Sequence, residues 1–132
     1  MSAKRRAPRL LTIQPEVSAD GVAVVRVDGT IDSFTVASFR QALADLISSE
    51  DLVIDLARLS FIDSAGLGAL VGVIRRVRES GGQVAIACSS PLGARVLKSA
   101  GLDRLVLVVE SIEAATAVLR TARDRNLEGE IT

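Results

Sequence analysis

Asp63 and Ser64 set a carboxylate and a hydroxyl side by side where an apolar run gives way to a helical pattern. Upstream, Leu52-Val53-Ile54-Asp55-Leu56 reads as a short buried strand. Downstream, Leu67, Leu70, Val71, Ile74 and Val77 recur at helical spacing. Ser64 therefore falls at or beside a helix start, where backbone N–H groups lack intrahelical acceptors. A hydroxyl there can cap the helix, attack as a nucleophile or accept a phosphoryl group. Nucleophilic attack is poorly served. The chain has no histidine to act as base, and Asp63-Ser64-Ala65-Gly66 does not fit the Gly-x-Ser-x-Gly elbow of hydrolases. Serine is a favoured cap, so the plain reading stands beside the phosphate one. A phosphate would meet the positive end of the helix dipole and bring about 1.5–2 extra negative charges beside Asp63.

Residues four apart share a helix face, so Ser64, Gly68 and Gly72 form a stripe that continues to Arg75 and Arg76. Each interior glycine costs roughly 0.5–1 kcal/mol relative to alanine. Two on one stripe imply that a backbone comes close. Either the domain packs tightly there, or a partner docks on a bare face with the hydroxyl at its rim.

Composition narrows the chemistry. Without histidine there is no Ser-His-Asp triad and none of the usual zinc sites. Three Phe and no Tyr or Trp give an aliphatic core and little for nucleic-acid bases to stack on. The single Cys88 has no internal disulfide partner, and at the end of an apolar run it reads as a buried, inert thiol. No Gly-x-x-x-x-Gly-Lys-Ser/Thr loop is present, which leaves nucleotide hydrolysis without its usual cradle. Net charge is zero, yet Lys4, Arg5, Arg6 and Arg9 crowd a basic tail over residues 1–9. With no apolar stretch fit for a signal peptide or a bilayer span, the expectation is a cytoplasmic protein without membrane or direct nucleic-acid contact. No cofactor and no metal site are expected.

The elements that must position Ser64 follow from periodicity and turn signals. Leu10–Val17 and Val22–Val27 read as strands joined through Asp20-Gly21 in a hairpin. A helix bearing Val36, Phe39, Leu43, Leu46 and Ile47 follows, with Asp32 or Ser33 as its cap. After the Leu52–Leu56 strand, the helix from Ser64 stops near Ser80, before Gly81-Gly82. Val84–Cys88 is a strand, and Ser90-Pro91 opens a helix that ends at Gly101. Leu105–Val109 is a last strand, and Ser111 caps a final helix. The order β-β-α-β-α-β-α-β-α predicts an α/β domain over residues 10–125, with a mixed, mainly parallel sheet and a frayed end over 126–132.

Asp63-Ser64-Ala65-Gly66-Leu67-Gly68-Ala69-Leu70, preceded by Val53-Ile54-Asp55-Leu56 and Phe61-Ile62, resembles the signature of bacterial anti-sigma-factor antagonists of the STAS superfamily. The resemblance runs from about Leu10 to Ala122. It implies a STAS-type fold and phosphorylation of Ser64 by a cognate anti-sigma factor, an ATP-dependent serine kinase of histidine-kinase-like fold. The unphosphorylated antagonist would bind that partner and free the sigma factor; phosphorylation would end the complex, and a PP2C-type phosphatase would restore the hydroxyl. The protein itself would be no enzyme. Its partner surface would combine Asp32, Ser33, Asp63, Ser64, Ala65, Gly66, Gly68 and Gly72, with the Gly29–Ser33 loop beside Ser64. Family members often carry an acid where Thr30 stands, while Asp32 is retained. Asp55 resembles a response-regulator acceptor only superficially, since the first strand ends without the acidic pair that holds magnesium; a structural role is expected.

Two other classes remain open on sequence. One is a STAS scaffold or a lipid-transport or stress-complex subunit that is never phosphorylated. The other is a nucleotide-binding domain. Self-association, as a monomer or weak dimer, is also left open.

Overall fold

A computed structural model describes residues 11–17, 21–46 and 51–131, with side chains as far as 125. Five strands lie in the order β1-β2-β3-β4-β5: β1 (Leu11–Val17), β2 (Ala23–Ile31), β3 (Leu52–Ile62), β4 (Val84–Ala87) and β5 (Leu107–Val109). β1 pairs antiparallel with β2, from Leu11 opposite Gly29 to Val17 opposite Ala23; the other pairs are parallel. The helices are α1 (Val36–Ala44), α2 (Ser64–Glu79), α3 (Pro91–Ser99), α4 (Leu102–Leu105) and α5 (Ile112–Ile131).

Strand alternation divides the core in two. Ala23, Val25 and Val27 of β2, Leu52, Ile54 and Leu56 of β3, and Val84 and Ile86 of β4 point to one face. There they meet Phe39 and Leu43 of α1 and Ala69, Leu70, Val73, Ile74 and Val77 of α2. Val24, Val53, Ala85 and Ala87 point to the other face, under Ala115 and Leu119 of α5. α2 is thus amphipathic because one stripe covers the sheet and the other meets solvent.

β3 extends well past Leu56, where the sequence suggested its end. Two register shifts against β2 explain this: Arg26 faces Asp55 but Asp28 faces Arg58, and Gly29 faces Leu59 but Thr30 faces Phe61. Each inserts one extra β3 residue and flips the alternation. Leu59 and Ile62 thereby return to the face of Ile54 and Leu56 and pack on the same core. The bulges carry β3 far enough to deliver Asp63 and Ser64 to the end of the sheet.

Other expectations differ from the structure as well. Leu105 belongs to α4 rather than to the last strand, which starts at Leu107. Leu102 and Leu105 are one helical turn apart, and Gly101 in the left-handed region (φ +82°) separates this turn from α3. Neither Asp32 nor Ser33 is the residue before α1; Thr35 is, and its side chain makes no cap bond. Gly29 to Ile31 are strand, not loop. The backbone of α5 stays helical from Asn126 to Ile131, the stretch anticipated as a frayed end. Leu10, Asp20, Ile47 and the basic tail over 1–9 lie outside the described residues.

Asp51 pins the opposite end of the sheet. Its carboxylate is buried (4% exposed), and Oδ1 accepts from Gln83 N at 3.0 Å and from Arg123 Nη2 at 2.9 Å. Asp51→Ala should cost about 1–3 kcal/mol, since it strands a buried amide and removes the charge that holds α5 down. Urea unfolding of the variant checks this.

Candidate functional site

The helix that carries Ser64 is capped by its neighbour. Asp63 is the N-cap in an extended conformation, and its Oδ1 accepts from Gly66 N at 2.9 Å. Leu67 N donates to Asp63 O at 2.8 Å, the first bond of α2. Ser64 is accordingly the first helical residue and not the cap, so its hydroxyl is released from that role. Ser64 is exposed. Among the described residues, no protein group accepts from the N–H of Ser64 or Ala65. A side chain at this place meets solvent, two unpaired donors and the positive end of a 16-residue helix.

Asp63 also ties α2 to the loop after β2. Its Oδ2 accepts from Ser33 N at 3.3 Å, and its own N–H donates to Ile31 O at 3.2 Å. Within the loop, Asp32 Oδ1 accepts from Phe34 N (2.9 Å) and Thr35 N (3.1 Å). Thr35, buried at 5% exposure, accepts from Asp32 N at 2.9 Å and donates to Thr30 O at 2.8 Å. Asp32 therefore works inward, as an Asx turn that holds Ser33 and Phe34 out. Asp63→Asn keeps an oxygen for the Gly66 amide but loses the acceptor for Ser33. It should cost under about 1 kcal/mol, whereas Asp63→Ala should cost about 1–2 kcal/mol because the cap goes too. Thermal melts rank the two, and faster amide exchange at Ser33 marks the lost tether in both.

The eight residues expected on the surface fall into distinct places. Ser33, Ser64 and Gly68 are exposed, while Asp32, Asp63, Ala65 and Gly72 are half-buried. Gly66 is buried, and its role differs from the one foreseen. A Cβ there would collide with the carbonyl oxygen of Ile31 and lie 2.8 Å from Ile62 Cγ1. Gly66 is what allows α2 to start against the ends of β2 and β3. At Gly68 and Gly72 a Cβ would meet nothing within 4 Å. Tight packing inside the domain explains Gly66 and does not explain the other two.

Phe34 was missed. It stands 87% exposed in the loop tethered to Asp63, and Leu67 and Val71 are half-buried along α2. The signal was available, because an aromatic between Ser33 and Thr35 falls off the helical stripe of Val36, Phe39 and Leu43. Asp55, by contrast, sits outside this cluster. Its Oδ2 is 3.5 Å from Arg26 Nη1, its Oδ1 accepts from Ala57 N at 3.0 Å, and Arg26 also binds Glu16 at 3.0 Å. Cys88 is buried, with Sγ 3.5 Å from Ser90 O. Among the described residues no group of His, Cys, Asp or Glu could hold a metal ion, and no helix is long and apolar enough to cross a membrane.

Known proteins resemble this chain in sequence and fold. The STAS domain family model matches residues 14–115. An anti-sigma F factor antagonist of Paenibacillus polymyxa is 30% identical over 94 residues, covering 69% of this chain and 80% of that one. The crystal structure of an anti-sigma factor antagonist from Mycobacterium paratuberculosis superposes with a TM-score of 0.74 at 29% identity, covering 86% of this chain and 97% of that one. The phosphorylated form of SpoIIAA, a Bacillus cell fate determinant, superposes with a TM-score of 0.60 at 25% identity, covering 81% and 99%. With the family model spanning most of its length and antagonists among its relatives and structural neighbours, the chain belongs to the STAS domain family, among its anti-sigma-factor antagonists.

Proposed function

We propose that the protein is a phosphorylation-switched antagonist that binds an anti-sigma factor and so releases a sigma factor. The observation that carries this reading is Ser64 itself, an exposed hydroxyl at the first position of α2 whose capping duty has passed to Asp63. Phosphate on that oxygen would lie against the free N–H groups of Ser64 and Ala65, so the fold tolerates it. Beside it the partner would meet Ser33, Phe34 and the bare backbone at Gly68 and Gly72. An exposed phenyl ring next to an uncluttered helix face is suited to burial against another protein.

The partner is a serine kinase of histidine-kinase-like fold that docks on this face and phosphorylates it. The antagonist is its substrate and catalyses nothing. A PP2C-type phosphatase resets the switch in the cytoplasm. The phosphorylated SpoIIAA structure supports the reading as a relative in which the modification exists. The test is to incubate the protein with its cognate kinase and ATP and to map the phosphate by mass spectrometry. Label is expected on Ser64 alone and absent from Ser64→Ala. Undiminished label in that variant refutes the site.

A further inference from the structure

The far half of β3 has an open edge. β4 pairs with β3 only from Leu52 to Asp55, whereas β2 remains paired with β3 as far as Ile62. Among the described residues, no strand pairs with the other edge of β3 from Arg58 to Ile62. That edge borders a groove of about 310 Å3 whose opposite wall is α3. Leu56, Leu59, Phe61, Leu92, Gly93 and Val96 line it. Phe61, Leu92 and Val96 stand 55%, 68% and 49% exposed.

Unpaired N–H and C=O groups beside apolar pockets are what strand addition uses: the main chain supplies affinity and alternate side chains fill the pockets. Charge narrows the choice of occupant. The only charged residues of α3 are Arg95 and Lys98, both exposed. A second copy of this chain paired edge to edge would bring two cationic helices together, and an acyl chain would leave the backbone edge unpaired. We infer that the groove takes an extended segment of the partner protein, paired through its main chain to Arg58–Ile62. Alternate apolar side chains of that segment enter between Leu59, Leu92 and Val96, and an acidic residue meets Arg95 or Lys98. The groove ends at Ile62, two residues before Ser64, so the segment and the switch adjoin. This rests on the antagonist reading for the identity of the partner; the occupancy of the groove does not require the phosphate.

The experiment titrates the isotopically labelled full chain with a short peptide of alternating valine and threonine ending in two glutamates, followed by amide NMR. Expected are shifts confined to Arg58–Ile62 and Leu92–Val96, with exchange along the β3 edge slowed. Val96→Glu, or N-methylation of alternate peptide amides, should each weaken binding by about tenfold or more. Absence of shifts at millimolar peptide overturns the inference. So does equal binding of the N-methylated peptide, which would mean apolar adhesion, or the same shifts on concentrating the protein alone, which would mean self-pairing. Displacement of the unmethylated peptide by decanoate with no change in β3 exchange overturns it in favour of an acyl site. Ser64→Ala should bind the peptide unchanged. A chain that binds peptide but takes label elsewhere than Ser64 sinks the switch alone, and the converse sinks the groove alone.

Discussion

Gly66→Ala is expected to destabilise the protein by about 2–3 kcal/mol, while the same change at Gly68 or Gly72 is expected to stabilise it by about 0.5–1 kcal/mol. The opposite signs come from the same added methyl group. At Gly66 it would press on the backbone of Ile31 and on Ile62 Cγ1, and a carbonyl fixed in a strand cannot turn away as a flexible side chain can. At Gly68 and Gly72 there is nothing within 4 Å, so alanine brings only its better helix propensity. For a domain of this size the loss at Gly66 corresponds to a fall in Tm of roughly 10 °C, easily read by calorimetry. A neutral Gly66→Ala would show that α2 can slide away from β2, and the Asp63–Ser33 tether would lose its geometric basis. If Gly68→Ala stabilises the free protein yet weakens partner binding, stability and docking are separated at one atom.

The difference between these glycines explains what could be read from the sequence and what could not. The near-continuous apolar run Leu52–Leu56 marked a buried strand and α2 repeats at helical spacing, while the division of the core between the two faces of the sheet emerged only in the structure. Periodicity also gave Ser64 at a helix start, because strand and helix patterns meet there. It stopped at Leu56 in β3 because the bulges break the alternation, and a pattern method reads a broken period as a strand end. It missed α4, whose single turn offers one apolar spacing and too few residues for a period to form. Within the site, Asp32, Asp63 and Gly66 were expected on the partner surface because the family resemblance sets the Gly29–Ser33 loop and the start of α2 side by side. Adjacency does not report direction. Two of the three turn out to be the fittings that hold Ser33 and Ser64 outward, and the third is a contact point between α2 and the sheet.

Ser64→Asp is expected to weaken binding of the anti-sigma partner about 100-fold, or about 2.7 kcal/mol, and to raise the stability of the free protein by about 0.3–1 kcal/mol. The two effects separate a charge switch from a damaged fold. A carboxylate at the first position of α2 is favoured by the helix dipole and by the free N–H groups of Ser64 and Ala65, so the isolated domain gains. In the complex the same charge is pressed beside Asp63 against a surface shaped for a neutral hydroxyl, so the pair loses. The arginines of α2 do not cancel it. Arg75 lies eleven residues further along the helix, or about 16 Å at 1.5 Å per residue, against a screening length of about 8 Å in physiological salt. Titration calorimetry of the wild type, Ser64→Ala and Ser64→Asp against the partner reads the first effect, and thermal melts of the same proteins read the second. Ser64→Ala should stay within about threefold of wild type, since one exposed hydroxyl is worth little next to a charge. Moderate salt should restore part of the aspartate's loss, because repulsion at a rim is screened as a cavity or a clash is not. If Ser64→Asp binds as tightly as serine, the partner does not sense charge at the start of α2. The exposed hydroxyl would then be a bystander, and docking would rest on Phe34 and the bare glycine face.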